Sequence, residues 1–425
     1  PVRPAQDTTL ANILDQPQTA LEDQRAEAVK RQYRKYYAKV PWAMWLIDCL
    51  PKSFVDRQKF IPFAPYHEEF WEWVFSIPQD ESPRPFIAIQ SRDTGKSSAA
   101  EAACVYLGAM GIRKYVLYCA SAQSQADDHV ANVAALLESP EIRRRYPDLT
   151  ERSLNKYGQS KGWRVNRLRT KSGFTLDAIG LDKAVRGARL EEQRPDGLVL
   201  DDLDSEQDTP RIVERKIQLL TRSLLPAGDR RKMAVLYVQN IPHDDAIMAR
   251  ILDKRTDLLS NAIVCGPHPA LLGMRYETRE GKVYITEGTP TWDGFTRAQC
   301  ENWVQTYTLR AFLVECQHER GRRSGAQWKV EELDEHRVDK APELRRVVVG
   351  VDPAMSSSSR GSETGIVVAG EEPREQGRPH YYTLADHSGH YTVDEWATTA
   401  IEQWAYHNAD AVVAEANQGG ELVAD

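Results

Sequence analysis

The sequence predicts an α/β protein with two successive units, the first built on a mostly parallel sheet. Three stretches carry that prediction. "FIAIQSRDTGKSSAAEA" (86–102) runs a short apolar strand into a tight turn and then into small helix-forming residues. "GLVLDDLD" (197–204) is a second apolar strand, ending in paired acids. "RRVVVGVDPA" (345–354) opens a third, after a long polar stretch. Short apolar runs bounded by turn residues read as strands buried on both faces.

The chain has 425 residues, 41% hydrophobic and 28% charged, which is too long for one core and reads as a soluble globular protein. The net charge of −7 argues against a nucleic-acid binder that works by overall charge. Charge is local, however: residues 141–189 hold 13 Lys and Arg against 5 Asp and Glu, a balance of +8 that suits either a phosphate backbone or a solvated face. "VPWAMWLIDCL" (40–50) stops short of a membrane span, and the polar start has no signal-peptide pattern, so a cytoplasmic protein is expected. The six cysteines contain no CxxC pair, which argues against a zinc site or a disulfide framework.

In chain order, residues 1–60 read as helices, with "TALEDQRAEAVKRQYRKYY" (19–37) strongly charged and suited to a surface or ring contact, or simply to solvent. The strand–turn–helix at 86–102 is the setting of a phosphate-binding loop (P-loop). Ser91, Asp93, Thr94, Gly95, Lys96, Ser97 and Ser98 would cradle phosphates at the helix N-terminus, with Lys96 on the terminal phosphates and the Ser97 hydroxyl on Mg²⁺. Gln90 stands where the usual pattern has its first glycine, a residue that eases the turn but supplies no ligand. The strand at 197–200 then delivers Asp201 for Mg²⁺ and Asp202 to orient the attacking water. The first unit therefore reads as a P-loop NTPase core that binds ATP.

At this point the chain resembles the large subunit of the tailed-phage terminases, the motors that package viral DNA. "SRDTGKS" (91–97) is similar to their variant loop, which places Arg92 as the implied cis-acting arginine. "PFAPYHEEFWEWV" (62–74) resembles their adenine-binding segment, with Phe63 and Tyr66 as implied stacking residues, although His67 stands where glutamine is usual. "YVLYCASAQSQADDHV" (115–130) resembles a segment in which Ser121, Gln123 and Gln125 would lie near DNA or phosphate. "GLDKAVRGARLEEQRPDGLVLDD" (180–202) resembles the approach to the acidic strand end. "KMAVLYVQNIPHDDAIMARIL" (232–252) resembles the coupling motif, which implies that Gln239 and Asn240 sense the γ-phosphate. The resemblance also implies a homo-oligomeric ring on the capsid, with Arg143, Arg144, Arg145, Arg186 and Arg189 as candidates to complete a neighbour's site. Implied partners are double-stranded DNA, the portal protein and a small subunit, in the cytoplasm of an infected bacterium and with no membrane.

The second unit has a strand to Asp352, a Ser/Gly loop, a strand from Gly365, a third at "HYYTLADHSGHYT" (380–392), a helix and a strand ending in Glu415. The helix periodicity puts Trp396, Ile401 and Trp404 on one face, and "DAVVAEANQGG" (410–420) reads as another buried strand. This order matches the ribonuclease-H-like nuclease of terminases, in which Asp352 and Glu415 would hold two divalent metals, Mg²⁺ or Mn²⁺. Asp386 is a further candidate. The family's third carboxylate lies later, and this sequence ends ten residues after Glu415, so a nuclease domain incomplete at its C-terminus is expected. The expected domains are an N-terminal helical segment at 1–60, a P-loop ATPase domain with a lid at 61–318, a linker at 319–345 and a partial ribonuclease-H-like domain at 346–425. The competing enzyme is a superfamily 2 helicase or DNA translocase, which would carry a second ATPase-like lobe. The competing non-enzyme is a nucleotide-binding assembly protein of the capsid portal.

Overall fold

The computed structural model describes residues 9–182, 193–320, 336–354, 364–373 and 379–414, with side chains from residue 20 onward. The chain divides into two compact units, Pro1–Gly325 and Ala326–Asp425.

The first unit opens with helices α1 (Thr9–Tyr36), α2 (Pro41–Cys49), α3 (Pro51–Phe54) and α4 (Pro65–Ser76). Proline at the first helical position starts each of the last three, where a missing N–H costs nothing. Then follow β1 (Phe86–Gln90), α5 (Lys96–Ala109), β2 (Tyr115–Ala120), α6 (Gln123–Leu137), α7 (Pro140–Arg145) and α8 (Pro147–Thr150). Next come β3 (Trp163–Arg164), β4 (Arg167–Arg169), β5 (Thr175–Gly180), β6 (Gly197–Asp201), α9 (Pro210–Leu219), α10 (Leu225–Ala227), β7 (Ala234–Gln239), α11 (Ile247–Leu252) and β8 (Ile263–His268). The hairpin β9 (Leu271–Arg279) and β10 (Lys282–Pro290) and helices α12 (Arg297–Thr306) and α13 (Leu309–Glu315) close the unit.

The main sheet has eight strands in the order β3-β4-β5-β2-β6-β7-β1-β8, parallel from β5 to β8. At one end of this sheet β8 pairs with β1 as the edge strand among the described residues. Strand alternation feeds two cores: Phe86 and Ala88 pack on one face, Ile87 and Ile89 on the other. The N-terminal helices share the first of these cores through Tyr33, Tyr37, Trp42, Trp45 and Leu46. Asp196, in the Arg-Pro-Asp run before β6, accepts the backbone N–H groups of Lys114 (3.0 Å) and Tyr115 (2.8 Å), which locks the start of β6 beside β2. A third core, containing Ile285, Phe295, Cys300 and Phe312, joins β10 to α12 and α13.

The second unit is a four-stranded sheet in the order β13-β12-β11-β14, formed by β11 (Arg346–Asp352), β12 (Gly365–Glu371), β13 (Tyr381–Asp386) and β14 (Ala411–Ala414). The first three strands are antiparallel neighbours, and β14 runs parallel to β11. Helix α14 (Val393–Tyr406) starts at Thr392, whose hydroxyl takes the Glu395 N–H while Glu395 reaches back, a reciprocal cap. It buries Trp396 and Ala400 against Val349, Val351, Ile366 and Val368. Two expectations are corrected here. Ile401 and Trp404 are exposed, five and eight residues from Trp396 and so about 140° and about 80° around the helix from it. Val412 and Val413 are also exposed, since β14 is an edge strand with one neighbour among the described residues.

Candidate functional sites

The loop after β1 is built as an open cradle. Gln90 is the last residue of β1, paired with His268, so its backbone is extended and no glycine is required there. Asp93 (φ 65°) and Gly95 (φ 83°) make the turn, and Gly95 caps α5 in a left-handed conformation that favours glycine. Thr94 Oγ1 donates to the Ser91 carbonyl at 2.7 Å and fixes the turn from inside. Among the described residues, the backbone N–H groups of Asp93, Thr94, Gly95, Lys96 and Ser97 have no hydrogen-bond acceptor. Free N–H groups at a helix start make an anion site. The side-chain oxygens of Gln90 and Ser91 and Asn240 Oδ1 are likewise buried without a partner there.

Three expected residues meet at this loop. The Ser97 hydroxyl donates to Asp201 Oδ1 at 3.1 Å, across the intervening strand β7. Lys96, at the first position of α5, is 8% exposed. Asp202 is exposed beside Asp201 with φ 44°, and its N–H donates to the Val238 carbonyl at 3.3 Å. Gln239 and Asn240 follow at the end of β7, where Gln239 Oε1 accepts the N–H of Asp204 at 3.2 Å.

Sequence reasoning missed the shell around Asp201. Tyr118 OH donates to Asp201 Oδ2 at 2.6 Å, and His129 Nε2 lies 3.6 Å from the same oxygen. His129 Nδ1 is 2.8 Å from Glu101, which also accepts from Asn132. Burial raises the proton affinity of Asp201, and the neighbouring Asp202 charge adds to it, while Tyr118 and Lys96 oppose both. Burial alone would lower His129, but the Glu101 hydrogen bond and the Asp201 charge carry it upward. These partners come from separate elements and have no local signature. Glu315 at the end of α13 is another, contacting both Arg92 and Asn240.

Beside the loop lies a cavity of about 410 Å³, lined among others by Phe63, His67, Gly95, Ser98 and Trp292. That is the size of a small-ligand site. Phe63 is on its wall; Tyr66 is not. The Tyr66 ring is 2% exposed and packed between His67 and His268. His67 Nδ1 accepts the Ala64 N–H at 3.1 Å, which leaves Nε2 to donate to the Thr94 carbonyl at 3.0 Å. Burial drives its pKa down to about 4, so the ring is neutral. His67 thus ties α4 to the loop.

Other expected residues are spent within the fold. Gln123 bonds Asp127, Gly180 and the Ala178 carbonyl, and Gln125 accepts from Ser121 at the start of α6. Arg143, Arg144 and Arg145 are all exposed, and Arg145 pairs with Asp48 at 2.9 Å. Arg186 and Arg189 lie outside the described residues.

In the second unit Asp352 ends β11, exposed and opposite Gly365. Val351 is in parallel register with Ala414. Glu415, next in sequence, lies outside the described residues. Asp386 ends β13, with β12 between it and β11, and the Ser388 hydrogen bonds hold its carboxyl below the usual range. Among the described residues no three His, Cys, Asp or Glu side chains are placed to hold a metal ion, and no helix is long and apolar enough to cross a membrane.

Residues 349–425 match the family model of the terminase RNaseH-like domain. No curated protein matches the chain. Among solved structures it is similar to the large terminase of a thermophilic bacteriophage, at 12% identity over 85% of this chain and 79% of that one, with a TM-score of 0.36. The same terminase in complex with ATP-gamma-S matches at 10% identity, 85% and 79% coverage and a TM-score of 0.36. The Phi-28 DNA packaging motor matches at 11% identity over 78% of this chain and 90% of that one, with a TM-score of 0.32. These structural likenesses are loose. With an RNase H-like domain of the terminase type behind a large, mostly parallel α/β sheet, the chain resembles the large subunit of a phage terminase.

Proposed function

We propose that this chain is the ATP-driven motor that packages double-stranded viral DNA into a capsid, joined to a metal-dependent endonuclease that cuts concatemeric DNA. The observation that carries the reading is the Ser97–Asp201 contact at 3.1 Å, at the mouth of a loop whose N–H groups lack acceptors. A hydroxyl and a carboxylate beside free N–H donors fit Mg²⁺ and a triphosphate together. Bound Mg²⁺ would be held by Ser97 and Asp201 and would neutralise phosphate charge. The loop N–H groups grip the phosphates, and Lys96 and Arg92 draw charge from the γ-phosphoryl as it leaves. Asp202, exposed beside the site, orients the attacking water. The base occupies the cavity against Phe63, while Gln239 and Asn240 feel the loss of the γ-phosphate.

In the second unit Asp352 and Glu415 would hold Mg²⁺ or Mn²⁺, which supply an activated water for strand cleavage. The parallel register that ends at Val351 beside Ala414 supports this pairing. The motor acts as a homo-oligomeric ring on the portal, with a small subunit delivering DNA, in the cytoplasm of the infected bacterium.

DNA-stimulated ATP hydrolysis by the full chain tests the first half. Lys96→Ala and Asp201→Asn are expected to lower kcat at least ~100-fold. Hydrolysis that is equal in both variants and wild type would refute the site. Nicking of supercoiled plasmid in Mn²⁺, lost in Asp352→Asn, tests the second half, and nicking that survives the substitution would refute it.

A further inference from the structure

We propose, resting on the ATPase reading above, that the site reads the triphosphate and holds the base by ring contact alone. The motor then takes purine nucleoside triphosphates without distinguishing adenine from guanine. The two ends of the site differ in what they leave free. At the phosphate end the loop N–H groups lack acceptors among the described residues, and side-chain oxygens of Gln90, Ser91 and Asn240 are buried without a partner. At the cavity end that pattern stops. Among the described residues, none of the buried side-chain atoms without a partner belongs to a residue that lines the cavity.

Polar side chains of the cavity wall are already committed to the fold. His67 spends both ring nitrogens, one on the Ala64 N–H and one on the Thr94 carbonyl. Its ring stands edge to face against Tyr66 at 4.4 Å and Trp292 at 5.2 Å, which keeps it from turning toward a base. Tyr33 OH is used twice on Ile61, as donor at 2.8 Å and as acceptor at 3.0 Å. Trp292 Nε1 donates to the Pro62 carbonyl at 2.9 Å, and Asp56 Oδ1 takes the N–H groups of Gln58 and Lys59. Lys52 and Ser53, on the same wall, are exposed, so water competes there for any base edge. What the wall does offer is ring surface. Phe63 and Trp292 are half-buried, and Phe63 is backed by Tyr37 and Trp42 at 5.2 Å each. Every base has a π-face, so ring contact tolerates a change of base. Adenine and guanine differ along their edges, an amine donor on one where the other has a carbonyl acceptor. A pocket built to pair with one edge leaves its own groups unpaired with the other and rejects it by about 10⁴-fold.

Isothermal titration of the full chain with Mg·ATPγS, Mg·GTPγS and magnesium tripolyphosphate tests this. The two nucleotides are expected to have Kd values within about tenfold of each other, and both should bind more tightly than tripolyphosphate. Phe63→Ala should weaken both nucleotides by one common factor, about five- to a hundredfold, and leave tripolyphosphate unchanged, which a general loss of structure would not do. Should Phe63→Ala fail to fold by circular dichroism, Phe63→Leu takes its place with the same direction of change. His67→Ala should leave the ratio of the two nucleotide Kd values as it is in wild type. A preference for either nucleotide beyond about tenfold, or a ratio that His67→Ala alters, would overturn the proposal and leave the nucleotide site standing. Tripolyphosphate binding as tightly as the nucleotides would overturn it too, because the rings would then hold nothing. Absence of binding by both nucleotides would overturn the nucleotide-site reading itself, and the proposal with it.

Discussion

Tyr118→Phe tests the missed shell most directly. The substitution deletes one oxygen, leaves the ring stacked on His129 at 4.7 Å, and removes the 2.6 Å donor to Asp201 Oδ2. Asp201 is 0% exposed, so water cannot replace that donor. A hydrogen bond to a charged group is worth about 1.5–3 kcal/mol, and the loss is expected in urea unfolding near neutral pH. The electrostatic consequence is more specific. The Tyr118 hydroxyl lowers the proton affinity of Asp201, so its removal raises it, and about 1.4 kcal/mol corresponds to one pH unit. The acid limb of the ATPase pH profile should therefore move to higher pH by about one unit, with the alkaline limb unchanged. If the limb stays in place while hydrolysis persists, Asp201 is not the ionisation that limits the site.

Further outcomes follow from the same geometry. Gly95→Ala meets no atom within 4 Å of the added carbon, so its cost is backbone strain alone, about 1–2 kcal/mol in a melt, and Gly95→Asn should cost less. His67 has a folded pKa of about 4 against an ordinary 6.5, so the unfolded chain binds the extra proton in between and His67 stability is lost as pH falls through that window. Asp204, raised to about 6 by burial, acts with the opposite sign, so the measurable quantity is the difference between wild type and His67→Gln in urea midpoints at about pH 7 and pH 5. The wild type should lose more. Equal losses would place the ring in solvent.

What the sequence revealed and what it hid divide along contact range. The strand, turn and helix at 86–102 are written in consecutive residues, as are the acids that end β6. Their meeting across β7 depends on the strand order, which no local pattern encodes. Tyr118 looks like any residue of a buried strand, and Glu315 like any acid at a helix end. The misread face of α14 has a different cause: Ile401 breaks the three- and four-residue steps from Trp396, and Trp404, one step beyond Ala400, falls in the last turn of the helix, where it stays exposed. Tyr66 is attractive in sequence as an aromatic beside a candidate nucleotide site, but neighbouring rings already cover it.

The N-terminal helices have a consequence for how signals enter the protein. Tyr33, in α1, exchanges hydrogen bonds with the backbone of Ile61 and lines the cavity together with Lys52 and Phe54. The wall of the cavity beside the loop is thus made partly of the chain's first helices. Linkage is reciprocal, so any body that grips α1 and shifts this wall must alter nucleotide affinity, and nucleotide must alter that grip by the same factor. A fragment begun at residue 61 would lose that wall.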